Sequence, residues 1–135
     1  MIAETVEVLK TYRSYAVIGV SREPGKYGHE GFEVLRSGGY RVYPINPKYA
    51  ESDGQPCYAT LAALPERPEV IVTALALAVT ESLMPGVSAA DAQVIWMPPG
   101  CYTAAAVEAC RTAGQRKLHE VWSSLAGPGW AHSRC

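Results

Sequence analysis

Residues 15 to 31 combine the residue types that a phosphate site needs. They read YAVIGVSREPGKYGHEG, in which a short apolar run ends at a glycine turn that also carries a serine, an arginine and a lysine. When such a turn leads into a helix, the backbone N–H groups at the start of that helix attract an anion. The stretch therefore predicts a site for a phosphate or a diphosphate.

Four residues of this turn have a chemical role in the predicted site. Gly19 allows a tight turn and a close approach of the backbone to a ligand, and the Ser21 hydroxyl can donate a hydrogen bond. Arg22 and Lys26 add positive charge that a dinucleotide loop usually lacks. An ordinary loop with surface charges is the alternative interpretation, because a single glycine motif is a weak signal.

A second polar turn, PINPKY at residues 44 to 49, follows the next apolar run. In NAD-binding folds an acidic residue about 20 residues after the glycine motif holds the ribose hydroxyls. Here the position falls on Asn46, followed by Pro47 and Lys48, and the first turn lacks the second glycine of G-x-G. Both departures count against NAD. Lys48 instead favours a ligand with an extra ribose phosphate, which means NADP for a 2′-phosphate and coenzyme A for a 3′-phosphate.

The two turns belong to a pattern of alternating strands and helices. Four runs rich in Val and Ile predict buried strands, and a weaker run interrupted by His119 and Glu120 predicts a fifth. The predicted strands cover 15–20, 40–45, 70–75, 94–97 and 117–122, and the predicted helices cover 2–12, 29–39, 79–91 and 103–114. The sequence therefore predicts an α/β fold, a Rossmann-like three-layer domain with a mostly parallel five-stranded sheet.

Capping residues mark the ends of the predicted helices. Gly38 and Gly39 close the helix after the first strand. Thr80 is the predicted N-cap of the third main helix, and Thr103 begins the fourth. Residues 46–68 read mostly as a loop, with one short helix near residues 60 to 64.

Length and composition suit a single globular domain over residues 1–135, with an N-terminal helix over 1–13 and an irregular tail over 123–135. The chain has 135 residues, of which 48% are hydrophobic and 19% charged. A formal net charge of -1 gives no support to a nucleic-acid partner. No apolar run approaches the ~20 residues that cross a bilayer, and no signal peptide is evident, so a cytoplasmic location is expected.

Four segments in the same order resemble the small stand-alone CoA-binding proteins, which are single-domain relatives of the nucleotide-binding domain of succinyl-CoA synthetase. The segments are AVIGVSREPGKYG, GYRVYPINPKY, the Tyr-Ala-Thr-Leu-x-x-Leu-Pro stretch at 58–65, and VIWMPPG at 94–100. The resemblance implies a Rossmann-like domain that binds coenzyme A beyond the strand ends. The implied contacts are Gly19, Val20, Ser21, Arg22 and Lys26 at the diphosphate, Asn46, Pro47 and Lys48 at the ribose and its 3′-phosphate, and Ala74 and Leu75 at the adenine or the start of the pantetheine arm.

The chain departs from the family pattern after the third, fourth and fifth strands. It reads ALALAVTES, MPPG and VWSSLAG there, where family members often have a charged or proline-containing stretch, a polar residue before the glycine, and an Asp-Arg-Cys motif. The pantetheine end of the implied site therefore matches the family less well than the phosphate end.

The four cysteines, Cys57, Cys101, Cys110 and Cys135, contain no C-x-x-C pair and are not grouped with histidines, so no metal site is predicted. Free thiols are the expectation in a reducing cytosol. Cys101 follows WMPPG near the start of the predicted fourth helix, where the dipole could lower its pKa and where a disulfide with the CoA thiol is one option. A partly buried small residue is the favoured interpretation.

No arrangement of nucleophile and base is visible in the sequence, and His29 and Glu30 are expected to be solvated rather than catalytic. Three functions stay open. The favoured one is a module that binds coenzyme A or an acyl-CoA and has no catalytic set of its own. The others are a small NADP-dependent oxidoreductase and an interaction domain that has lost its ligand. A dehydrogenase normally needs a second domain, which favours the binding module. A homo-oligomer or an unidentified protein partner also stays open, whereas a membrane partner is not expected.

Overall fold

The computed structural model describes residues 2–52, 54–87, 91–98, 101–112, 116–119 and 135. The helices are α1 (Ile2–Thr11), α2 (Tyr27–Ser37), α3 (Leu77–Leu83) and α4 (Ala104–Thr112). The strands are β1 (Ser14–Ile18), β2 (Arg41–Ile45), β3 (Glu51–Ser52), β4 (Gln55–Pro56), β5 (Val70–Thr73), β6 (Val94–Met97) and β7 (Arg116–His119). Short 3₁₀ turns cover Leu61–Ala63 and Met84–Gly86.

One parallel sheet in the order β2-β1-β5-β6-β7 organises the described residues. The chain steps outward from β1 to β2, crosses back to β5 on the other side of β1, and then continues outward. The strand order therefore reverses between β1 and β5, which opens a crevice beyond the carboxyl ends of these two strands. This topology confirms the predicted α/β, Rossmann-like fold.

The central strands are buried on both faces because helices cover each side of the sheet. All four residues of β5 and all four of β6 are buried, as their unbroken apolar sequences predict. Alternate residues of β1 enter two separate cores. Tyr15 and Val17 pack in the core that contains Phe32 of α2, whereas Ala16 packs in the core that contains Cys110 of α4.

The buried face of helix α2 and its glycine C-cap both follow from its sequence. Its buried residues recur at helical spacing and include Gly28, Phe32 and Leu35. The helix ends at Gly38, and Gly39 follows with a φ of 86°, so the predicted glycine C-cap is confirmed.

Two local predictions need correction. Thr80 is not an N-cap, because α3 begins at Leu77 after Ala76, and Thr80 lies buried inside the helix. Its hydroxyl lies within hydrogen-bond distance of the Cys101 and Leu75 carbonyl oxygens and does not cap the N-terminus of the helix. The predicted loop over 46–68 also contains a small antiparallel hairpin of β3 and β4, which turns at Gly54 with a φ of 76°.

Several predictions lie outside the described residues. They are the tail over 123–134, the end of the fifth strand at 120–122, the end of the fourth helix at Gly114, and Pro99 with Gly100. The division of the chain into a single domain over 1–135 stays a prediction.

Glu69 stabilises the amino-terminal end of the strands, which is the end of the sheet opposite the crevice. Its Oε1 accepts the N–H groups of Arg13 at 2.8 Å and Ser14 at 3.2 Å, and also lies 3.3 Å from the Ser14 hydroxyl. The backbone N–H of Glu69 donates to Ser14 Oγ at 3.0 Å. The start of β1 and the residue that precedes β5 are thereby joined, which helps to align these two neighbouring strands.

We expect Glu69→Ala to lower the free energy of unfolding by about 1–3 kcal/mol, because the two N–H groups lose their acceptor. Urea denaturation measures the loss. Glu66→Ala is the matched control, since Glu66 lies at the same end of the sheet but its carboxylate interacts with the exposed Arg41 guanidinium and the Tyr43 side chain instead of with backbone N–H groups. An equal loss in both variants would contradict the role assigned to Glu69.

Candidate functional site

The loop after β1 lies directly against the residues that follow β5. Gly19 has a φ of 91°, and a Cβ atom built on it would stand 2.4 Å from the Ala74 carbonyl oxygen and 2.8 Å from Cδ2 of Leu75. Only glycine allows this approach. The fold therefore brings three of the predicted site residues, Gly19, Ala74 and Leu75, together at the point where the strand order reverses.

The first turn of α2 is pressed against the same loop. A Cβ on Gly28 would stand 2.0 Å from the Gly19 carbonyl oxygen and 3.2 Å from the Ser21 nitrogen. The N–H groups of Ser21 and Gly28 have no acceptor within the described part of the chain. Two backbone donors therefore lie close together at the N-terminus of an 11-residue helix, an arrangement that suits an anion.

His29 and Glu30 hold this loop in place, which corrects the expectation that they are solvated. Both side chains are half-buried. Nδ1 of His29 donates to the Ser21 carbonyl oxygen at 3.1 Å, and Glu30 Oε1 accepts the Gly25 N–H at 3.0 Å. The carboxylate of Glu30 also suits its position in the first turn of α2.

Arg22 lies against the segment that follows β2. Its guanidinium carbon stands 4.4 Å from the centre of the Tyr49 ring, and Nη2 donates to the Glu51 carbonyl oxygen at 2.8 Å. The contact is a cation–π pair combined with a hydrogen bond, so part of the guanidinium is committed to the protein. Lys26 is less constrained, with its Nζ 3.8 Å from a Glu23 carboxylate oxygen.

Asn46 uses its side chain to join the two loops. Its Nδ2 donates to the Val20 carbonyl oxygen at 2.9 Å, and its Oδ1 accepts the Lys48 N–H at 2.9 Å. The predicted Asn-Pro turn is present, with Pro47 and Lys48 exposed on it. No carboxylate pairs with the Lys48 ammonium among the residues that the structure describes.

Cys57 lies under this turn as a free thiol, with its Sγ 3.6 Å from the Asn46 carbonyl oxygen. Burial raises the pKa of the Cys57 thiol. It is therefore held in its neutral form near pH 7, in which the S–H can donate to that carbonyl.

The expectation of four free thiols is wrong, because Cys101 and Cys135 form a disulfide. Their Cα atoms are 5.5 Å apart although 34 positions separate them in the sequence, and that distance suits a disulfide. Cys101 is fully buried rather than partly buried, and Cys57 and Cys110 are not disulfide-bonded.

Thr80 connects the disulfide to the crevice. Its Oγ1 lies 2.7 Å from the Cys101 carbonyl oxygen and 3.3 Å from the Leu75 carbonyl oxygen. The segments that follow β5 and β6 are thereby held together by one buried hydroxyl. Sequence reasoning missed this contact because a threonine inside an amphipathic helix gives no signal of its tertiary partners.

An apolar cavity of about 380 Å³ opens at the carboxyl ends of β1 and β2. Its lining includes Ile18, Ile45, Leu61, Leu83 and Val87. A flat apolar group fits such a lining better than a charged one.

No group of three or more metal-ligating side chains occurs in the described ranges. None of the described helices is long and apolar enough to cross a membrane.

Comparison with known proteins gives one family and several relatives. The family model described as a CoA binding domain matches residues 13–120. An ADP-forming acetate–CoA ligase of Archaeoglobus fulgidus is 40% identical over 57 residues, which make up 42% of this chain but only 8% of the ligase. The uncharacterized protein YneT of Bacillus subtilis is 25% identical over 128 residues, or 92% of each chain.

Solved structures share the fold over most of the chain. A hypothetical protein from Pyrococcus horikoshii OT3 superposes with a TM-score of 0.80 at 27% identity, and the match covers 89% of this chain and 84% of that one. The match spans most of both of these chains, whereas the match to the ligase spans only a small part of the ligase.

We expect Gly28→Ala to lower the free energy of unfolding by about 1–3 kcal/mol, because the added methyl group collides with the backbone of Gly19. Gly86→Ala is the matched control, since a Cβ there meets no atom within 4 Å. Urea denaturation of both variants tests the contact. Equal stability of the two variants would show that the loop and α2 are not in close contact.

Proposed function

The chain belongs to the CoA-binding domain family, and from this membership we propose that it binds coenzyme A or an acyl-CoA in the crevice between β1 and β5. The observation that carries the proposal is the family match over residues 13–120, which includes both loops of the candidate site. The family match favours coenzyme A over NADP.

The diphosphate is proposed to lie at the loop between β1 and α2. Gly19 allows the close backbone contacts of this loop. The N–H groups of Gly19 and Val20 donate to the Ile45 carbonyl oxygen, whereas those of Ser21 and Gly28 are available as donors. The N-terminus of α2 adds a favourable dipole. Lys26 supplies a charge at the start of α2, whereas Arg22 acts from its position on Tyr49.

The adenosine end is proposed to lie over the turn after β2. Asn46 shapes that turn, and Pro47 and Lys48 present an exposed cation on it. An ammonium in this position can pair with the 3′-phosphate of coenzyme A. The neighbouring apolar cavity offers a surface for the adenine ring.

The pantetheine arm is proposed to leave along the residues that follow β5. Ala74 and Leu75 contact Gly19 there, and the half-buried Leu75 side chain gives the arm an apolar surface to pass over. Its direction is then toward β6, away from β2, because the two strands lie on opposite sides of the β1–β5 pair.

A binding module, rather than an enzyme with its own catalytic set, is the function that we propose for the chain. The acetate–CoA ligase relative is matched over 8% of its length, and its reaction belongs to that whole protein. The side chains of Asn46, His29 and Glu30 make hydrogen bonds that hold the loops of the crevice in place.

Isothermal titration of the nucleotide-free protein with CoA, dephospho-CoA, NAD and NADP tests the proposal. We expect CoA to bind, and dephospho-CoA to bind roughly 5- to 30-fold more weakly, because one charged contact is worth about 1–2 kcal/mol. Tighter binding of NADP than of CoA would transfer the proposal to a nucleotide-dependent oxidoreductase. Absence of heat with all four ligands would reject a nucleotide site.

Replacement of Lys48 tests the assignment of the 3′-phosphate. Lys48→Ala should weaken CoA roughly 5- to 30-fold and leave dephospho-CoA almost unchanged. Lys10→Ala is the matched control, since Lys10 is an exposed lysine in the last turn of α1. Equal losses for CoA and dephospho-CoA would remove Lys48 from this role.

A further inference from the structure

We propose that the Cys101–Cys135 disulfide exchanges with the thiol of bound coenzyme A. The region beyond the carboxyl end of β6 is then a thiol–disulfide exchange site. The proposal rests on the CoA binding proposed above and goes beyond it, because it assigns a reaction to the thiol end of the ligand. It starts from a disulfide that lies at the same edge of the sheet as the candidate crevice.

The disulfide is fixed to the crevice by short contacts. Cys101 follows β6, and its N–H donates to the Pro98 carbonyl oxygen at 3.1 Å. Thr80 Oγ1 links the carbonyl groups of Cys101 and Leu75, at 2.7 and 3.3 Å. The Leu75 side chain in turn lies so close to Gly19 that a Cβ atom on Gly19 would collide with it. The disulfide is therefore connected, through one hydroxyl, to the surface along which the pantetheine arm is proposed to run.

The separation between the two ends of the ligand also agrees with this placement. β6 is two strands away from β1, which corresponds to about 10 Å across a sheet. An extended pantetheine arm can span that distance when its diphosphate lies at the loop after β1. The thiol of the ligand then arrives at the carboxyl end of β6.

Burial selects the sulfur that is attacked. Cys135 is half-buried, whereas Cys101 is fully buried, so an incoming thiolate reaches Cys135 first. Cys101 is the leaving group and stands just before α4, whose N-cap Thr103 accepts the Ala106 N–H at 3.2 Å. Cys101 takes up a proton as it leaves, because its fully buried position disfavours a thiolate.

The step balances without any further reagent. The CoA thiol first loses its proton to solvent, and the CoA thiolate attacks Sγ of Cys135. A new S–S bond forms between CoA and Cys135 while the Cys101–Cys135 bond breaks. Cys101 leaves with the electron pair and takes up a proton from solvent. The protein disulfide is the oxidant and is reduced as the mixed disulfide forms.

The other two cysteines are poor competitors for the same thiol. Neither Cys57 nor Cys110 is disulfide-bonded, so they offer no disulfide to attack. Cys110 is buried with its Sγ 3.4 Å from Met84 Sδ, and burial raises the pKa of Cys57. A CoA adduct that arises by exchange is therefore expected at Cys135.

The test compares CoA with glutathione at equal concentration, using the full chain purified without reductant and acid-quenched samples for intact-mass measurement. We expect a mass gain of one whole CoA molecule, since exchange adds the thiol across the S–S bond, and peptide mapping should place it on Cys135. The reaction with CoA should be at least about tenfold faster, because binding holds its thiol near the disulfide. Adenosine 3′,5′-bisphosphate, which lacks a thiol, should slow CoA and leave glutathione unaffected.

Two variants separate the exchange from simple binding. Cys135→Ser should give no adduct with CoA while calorimetry still detects CoA binding, because the disulfide is gone and the crevice is intact. Cys101→Ser leaves Cys135 as a free thiol, which should take up one CoA from CoA disulfide, with release of one CoA thiol. Failure of this second reaction would show that Cys135 cannot meet the ligand.

The possible outcomes distinguish the two proposals. Calorimetric binding of CoA with no rate advantage over glutathione overturns the exchange and leaves CoA binding in place. No calorimetric binding together with equal rates overturns both. Free thiols at positions 101 and 135, or an adduct mapped to Cys57, also overturn the exchange.

Discussion

The close contact of three backbone segments at the reversal of strand order is the constraint on which the rest of the site depends. The carbonyl of Ala74 and the first turn of α2 both approach the Gly19 peptide so closely that a side chain on Gly19 or Gly28 would collide with backbone. Backbone atoms cannot move aside as a flexible side chain can, so the positions admit glycine alone. This contact places the start of α2, and with it the N–H groups of Ser21 and Gly28, at the crevice.

Side-chain hydrogen bonds then hold the surrounding loops before any ligand arrives. Asn46 joins the loops after β1 and β2, and Glu30 and His29 hold the loop before α2. Arg22 adds a contact with Tyr49 across the same gap. A site whose loops are already ordered loses less conformational entropy on binding, so under the proposed function these contacts would favour the affinity even though they touch only protein.

Sequence reasoning succeeded where the signal is local. Runs such as VIVT and VIWM are apolar throughout, and only strands covered on both faces bury such runs, so β5 and β6 were predictable together with the α/β class. It failed for the solvated positions expected of His29 and Glu30 and for the Thr80 N-cap. A polar side chain can face water or a distant carbonyl, and its own neighbours in the sequence do not distinguish the two. The site as a whole stays a prediction carried by the family.

The sequence by itself determined the alternating elements, the glycine turn at Gly19 and the polar turn at Asn46, because spacing, chain reversal and apolar periodicity are properties of short segments. The tertiary structure alone decided that the Asn46 side-chain amide donates to the Val20 carbonyl oxygen. It also decided that Cys101 forms a disulfide with Cys135, which lies 34 positions further along the sequence. These contacts depend on which strands become neighbours. Neighbour relations arise from the reversal between β1 and β5, and no single segment encodes that reversal.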